Sequence, residues 1–109
     1  SLMYIPDLSV VFKECYRVMV VGGTFIIMAP NPINYVCDWI DDDKGGYYKA
    51  VHKLPWCSRD FDESEWIEYG HTMEGYLGGL ISCGFVINGY VECQKEDITE
   101  LMFMTRAVK

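Results

Sequence analysis

The chain is poor in the groupings that build metal and disulfide centres. Its five cysteines, Cys15, Cys37, Cys57, Cys83 and Cys93, include no C-x-x-C pair. Neither of its two histidines, His52 and His71, stands at ligand spacing from any of them. Zinc sites draw on such clusters, so none is expected. An odd number of well-separated thiols fits a reducing compartment, and the cytoplasm is the expected location. Basic residues are also scarce, nine against sixteen acids, for a net charge of −7. The average surface would repel a phosphate backbone, which argues against a nucleic-acid partner. Between Arg17 and Asp38 lies the longest uncharged run, but Gly22, Gly23, Pro30, Asn31, Pro32 and Asn34 interrupt it. No membrane-spanning helix is therefore expected. No basic stretch leads into a short apolar run near the start, so no secretory signal is expected either.

What is present is a globular composition. Half of the 109 residues are hydrophobic and 23% are charged. That length fits one domain over residues 1–109, burying roughly 65% of the surface that the unfolded chain exposes. Residues 7–19 read as a helix. Asp7 is placed to cap it, and Leu8, Val11, Phe12, Cys15, Val18 and Met19 recur at intervals of three and four to form one apolar stripe. Gly22-Gly23 ends that segment. Thr24 to Ala29 is an unbroken apolar run of strand length, which predicts burial on both faces. Residues 72–83 read as a second helix, striped by Met73, Tyr76, Leu77, Leu80 and Ile81 and stopped by Gly84-Phe85. Val86 to Cys93 and Glu100 to Val108 read as strands joined through Gln94–Thr99, with Gly89 marking a bulge. A helix between the first two strands implies a parallel crossover.

Residues 30–70 lack a clean period. They hold eight aromatics (Tyr35, Trp39, Tyr47, Tyr48, Trp56, Phe61, Trp66 and Tyr69). Disordered segments are poor in aromatics, so a folded excursion with one or two short helices is expected. Residues 33–70 carry nine of the acids and four of the bases, which is −5 of the −7. The run Asp41-Asp42-Asp43 is read as a solvated turn, because consecutive carboxylates fan apart.

The ordered set of motifs resembles class I S-adenosylmethionine-dependent methyltransferases. Phe12 to Pro32, FKECYRVMVVGGTFIIMAPNP, is similar to their helix, "E-x-x-R-V-L-x-P-G-G" turn and fifth strand, with Glu14, Tyr16, Arg17, Val18, Gly22 and Gly23 matching. Tyr4-Ile5-Pro6-Asp7-Leu8 resembles the entry to that helix. His71-Thr72 through Gly84-Phe85 resembles the "H-T-x-E-x-Y-L-x-x-L-x-x-x-G-F" helix that precedes the sixth strand. The small-molecule branch, of the ubiquinone and menaquinone biosynthesis type, is the most similar. Val20-Val21 stand where that family often has Lys-Pro. No segment of this sequence resembles the family's first four strands, their glycine-rich loop or the acid that holds the ribose.

The resemblance implies an α/β fold that is the C-terminal part of a Rossmann-like methyltransferase. Its mixed three-stranded sheet has the last strand central and antiparallel to both neighbours. Two main helices and the long aromatic-rich excursion complete it, with residues 33–70 on the substrate side. The implied cofactor is S-adenosylmethionine, touched only at Met3 and Tyr4, so weak or no binding is expected of this chain alone. The implied acceptor is a small apolar or aromatic molecule over the ends of the strands, with Asn31, Tyr35, Trp56, Tyr69 and His71 as candidate contacts. No residue is identified as catalytic. His71 reads either as a base or substrate contact, or as a histidine on the loop before a helix. The alternative function is a non-catalytic, truncated α/β module that dimerises or binds a small ligand. A homodimer is expected in either case, because Thr24–Ala29 would keep an open edge and part of the 7–19 stripe would be uncovered.

Overall fold

The computed structural model describes residues 2–60, 66–93 and 101–109. Asp7 caps helix α1 (Leu8–Val18), its Oδ1 accepting from Ser9 N at 2.9 Å and Ser9 Oγ at 2.6 Å. Leu8 and Phe12 are the buried face of this helix. The chain then turns at Gly22, whose φ of 83° lies in the left-handed region that a side chain disfavours. It enters strand β1 (Thr24–Pro30). After the excursion, the second long helical stretch is π-helical over Glu74–Gly78 and continues as α3 (Gly79–Cys83). Gly84, with φ 107°, terminates α3, and Phe85 N donates back to Leu80 O at 3.1 Å. Strands β6 (Val86–Cys93) and β7 (Met102–Val108) follow.

The three long strands form one sheet in the order β1-β7-β6, with both outer strands antiparallel to β7. The last strand is thus central, as the resemblance implied, and β1 and β6 run parallel to one another. The register slips between Ile87 and Gly89, which places the bulge that Gly89 predicted. The Gln94–Thr99 connection and Glu100 lie outside the described residues.

One face of the sheet is covered. Ile27 and Ala29 of β1, Phe103 and Ala107 of β7, and Phe85 pack with Leu8 and Phe12 of α1 and Tyr76 and Leu80 of the second helical stretch. A Cβ on Gly79 would stand 3.1 Å from the Phe12 ring, so this glycine admits α1 against the helix. The other face is open. Ile26 and Met28 are 56% and 58% exposed, so β1 alternates and is not buried on both faces. The period of two was hidden because both faces of the strand carry apolar side chains.

The excursion contains more strand than its composition predicts. A four-residue helix, α2 (Ile33–Val36), and a 3-10 turn at Ser58–Asp60 are its helical parts. Strands β2 (Cys37–Ile40) and β3 (Tyr47–Ala50) form a hairpin, and β4 (Trp56–Cys57) pairs with β5 (Tyr69–Gly70). The hairpin turn is organised by Asp42, whose Oδ1 accepts from Lys44 N at 2.8 Å and Gly46 N at 2.9 Å. The acidic run is a turn, as expected. Phe61, one of the eight aromatics, lies outside the described residues.

Candidate functional site

Where β1 ends, Asn31 turns the chain. Its N–H donates to Leu101 O at 2.9 Å and its Oδ1 accepts from Ile33 N at 3.1 Å. Asn34 Nδ2 also donates to Leu101 O, at 2.8 Å, which pins α2 to the residue leading into β7. The chain returns over α2 after the hairpin, because Val51 N and His52 N both donate to Val36 O, at 2.8 and 3.1 Å. That return sets His52 Nε2 3.0 Å from Asp38 Oδ2.

The β4–β5 ladder supplies the facing wall. Ser58 N donates to Glu68 O at 2.9 Å and Glu68 N donates to Ser58 Oγ at 2.8 Å, which fixes Glu68. Glu68 Oε1 accepts from the Tyr35 hydroxyl at 2.8 Å. Burial, reinforced by Glu68, holds the Tyr35 phenol far above its ordinary range, so it remains a donor. The Tyr35 and Trp56 rings lie 5.2 Å apart and are tilted by 36°. Gly70 makes that approach possible: a Cβ there would fall 2.7 Å from Tyr35 Cγ and 3.0 Å from Trp56 Cβ. Between these walls lies a cavity of about 340 Å³, lined by Asn34, Tyr35, Asp38, His52, Trp56 and Glu68, with Pro30 at the end of β1.

The sequence candidates divide between two sides of the ladder. Tyr35 and Trp56 share the cavity just described. Tyr69 and His71 lie on the other side, their rings stacked at 6.4 Å. His71 is 9% exposed and is not a free loop residue. Its Nε2 donates to Ile5 O at 2.8 Å, which ties the start of the second helical stretch to the entry of α1. It borders a second cavity, of about 540 Å³, with Asp7, Ser9, Thr72, Glu74 and Gly75. Asn31 serves the turn. Met3 and Tyr4 form one 3-10 turn, the former half-buried and the latter exposed. Sequence reasoning did not single out Asn34, Asp38, His52 or Glu68 as site residues. Their only signal was the acidic, aromatic character of the excursion, which names no individual side chain.

An open sheet whose outer strands are parallel, helices on one face, and a cavity beyond the end of β1 define a Rossmann-like α/β fold. No protein-family profile matches the chain. Solved structures similar to it are S-adenosylmethionine-dependent methyltransferases. The one from Mesorhizobium loti superposes with a TM-score of 0.76 at 18% identity, over 100% of this chain and 58% of that protein. A putative one from Listeria monocytogenes gives 0.72 at 22% identity, over 100% and 57%. The chain therefore has this fold, as the sequence motifs implied, over somewhat more than half the length of those structures. A curated relative is YbaJ of Bacillus subtilis, described as an uncharacterized methyltransferase, 26% identical over 100 residues. That match takes in 83% of this chain and 39% of YbaJ.

Proposed function

We propose that this chain is the acceptor-side part of an S-adenosylmethionine-dependent methyltransferase acting on a small apolar or aromatic molecule. The carrying observation is the cavity walled by Tyr35 and Trp56 at the end of β1, where open α/β sheets place their ligands. The likeness in fold to methyltransferases and the 26% identity to YbaJ support the same reading. Asn31 holds the turn that forms one wall, while Tyr69 and His71 back the other. The chain's work in such a reaction is alignment: rings and pinned polar groups fix the acceptor in one pose.

Met3 and Tyr4 do not fit the methyl donor by themselves. One short turn with a thioether and an exposed phenol offers no carboxylate for a ribose and no cradle of backbone amides. The chain alone is expected to bind S-adenosylmethionine weakly or not at all. Titration calorimetry that saturates at one per chain with a micromolar constant overturns that expectation. The five thiols are free and mutually distant in sequence, which supports a cytoplasmic setting.

The second reading is a non-catalytic module that dimerises or binds a small ligand, favoured by the open edge of β1 and the apolar groove beside it. Amide chemical shifts during titration with p-cresol test the cavity assignment. Changes centred on Asn34, Tyr35, Trp56 and Glu68 are expected, and no response at these residues overturns the acceptor site. Methyl transfer to a bound aromatic, assayed with the whole natural protein, separates the two readings.

A further inference from the structure

The charged groups at the Tyr35–Trp56 cavity favour one kind of partner. Glu68 and Asp38 bring carboxylates to its wall. Asn34 Oδ1 is buried and accepts no hydrogen bond among the described residues, its amide nitrogen being committed to Leu101 O. No Lys or Arg lines the cavity among the described residues. The Tyr35 phenol is turned onto Glu68, so it satisfies one carboxylate oxygen and leaves the second. His52 engages one oxygen of Asp38 in the same way. Two aromatic rings at 5.2 Å stand beside these acceptors. Aromatic faces and carboxylates together attract cations, the rings through their quadrupole and the carboxylates through charge.

The surroundings act in the same direction. The described residues between 33 and 70 carry six acids and four bases, an excess of negative charge that attracts cations.

We propose that the Tyr35–Trp56 cavity is a binding site for a small cationic amine with an apolar or aromatic body, its ammonium held by Glu68 and Asp38. This rests on the reading of the cavity as the acceptor side, and it narrows the acceptor class from a small apolar or aromatic molecule to an amine with such a body. A volume of about 340 Å³ admits a one-ring amine. The rings take the body, and the two carboxylates take the N–H groups.

Three probes of one shape and different charge test it: tyramine (cation), p-cresol (neutral) and 4-hydroxyphenylacetate (anion), each titrated by NMR into the chain at neutral pH. Tyramine is expected to bind about tenfold more tightly than p-cresol, with the anion weakest. Glu68→Gln should remove most of that preference. The exposed Asp38→Asn, where folding is not at risk, should lower tyramine affinity in the same direction. Tyr35→Phe, which keeps both carboxylates, should retain the preference. Equal affinity for tyramine and p-cresol, or a preference that survives both carboxylate substitutions, overturns the amine site while leaving the acceptor cavity standing. Failure of both to shift the cavity residues overturns the amine site and the acceptor assignment together.

Discussion

Two residues show where side-chain chemistry, and not pattern, decides behaviour. Tyr76 was legible as part of a helical stripe, and it is buried among His71, Phe103 and the core. Its hydroxyl, however, is buried with no hydrogen-bond partner among the described residues. Removing an unsatisfied hydroxyl from an apolar site recovers its desolvation cost, so Tyr76→Phe is expected to stabilise the chain by about 1 kcal/mol in urea denaturation. Burial also pushes the Tyr76 phenol up to about 12. The folded state thus resists ionisation more than the unfolded chain, whose tyrosines titrate near ~10. Its contribution to stability is complete below that value and is lost as pH rises toward about 12. Unfolding midpoints measured between neutral and alkaline pH should fall, and should fall less in Tyr76→Phe. Gly70 gives the opposite case, a residue that no spacing argument marks. A Cβ there would meet Tyr35 at 2.7 Å, so Gly70→Ala should cost about 1–3 kcal/mol and separate the two cavity rings. A fluorescence titration with p-cresol should show weakened binding in that variant.

At the scale of elements, what was legible depended on how much of each element is local. Helix α1 was read to within a residue because its cap, stripe and glycine stop are all encoded in sequence neighbours. The β6–β7 pair and its bulge were readable for the same reason. The excursion was not, because β2–β3 depends on the Asp42 turn and β4 and β5 are two residues each and far apart in sequence. Two-residue strands have no period to detect. The stop of α3 offers a test of the local signals. Gly84 has φ 107°, and a Cβ on it would stand 3.0 Å from the Tyr16 ring. Gly84→Ala therefore meets both an unfavourable backbone and a crowded ring, and should cost about 1–2 kcal/mol or more. Gly22, with φ 83° but nothing within 4 Å of its Cβ position, should accept Asn with little loss. Equal denaturation midpoints for the two variants would show that the ring contact adds nothing.

At the scale of the molecule, the sheet leaves apolar surface that one copy does not cover. Among the described residues β1 pairs only with β7, so its other edge presents unpaired N–H and C=O groups. Proteins commonly blunt such edges with charges, prolines or bulges, and β1 has only Pro30 at its end. Beside that edge runs a groove of about 430 Å³ between α1 and the strand, lined by Leu2, Ile5, Val11, Cys15, Ile26 and Met28. The expectation that part of the α1 stripe is uncovered narrows accordingly: Leu8 and Phe12 are buried, while Val11 and Cys15 face this groove. Apolar grooves next to an open edge favour pairing, and a two-fold dimer hides both at once. Light scattering behind a sizing column should therefore give twice the 12.6 kDa of one chain at micromolar concentration. Ile26→Lys, placed on the exposed face of β1, should return the particle to one chain without changing its far-ultraviolet spectrum. A 12.6 kDa particle for the unmodified chain overturns the dimer, and an unchanged dimer in Ile26→Lys moves the interface away from this face.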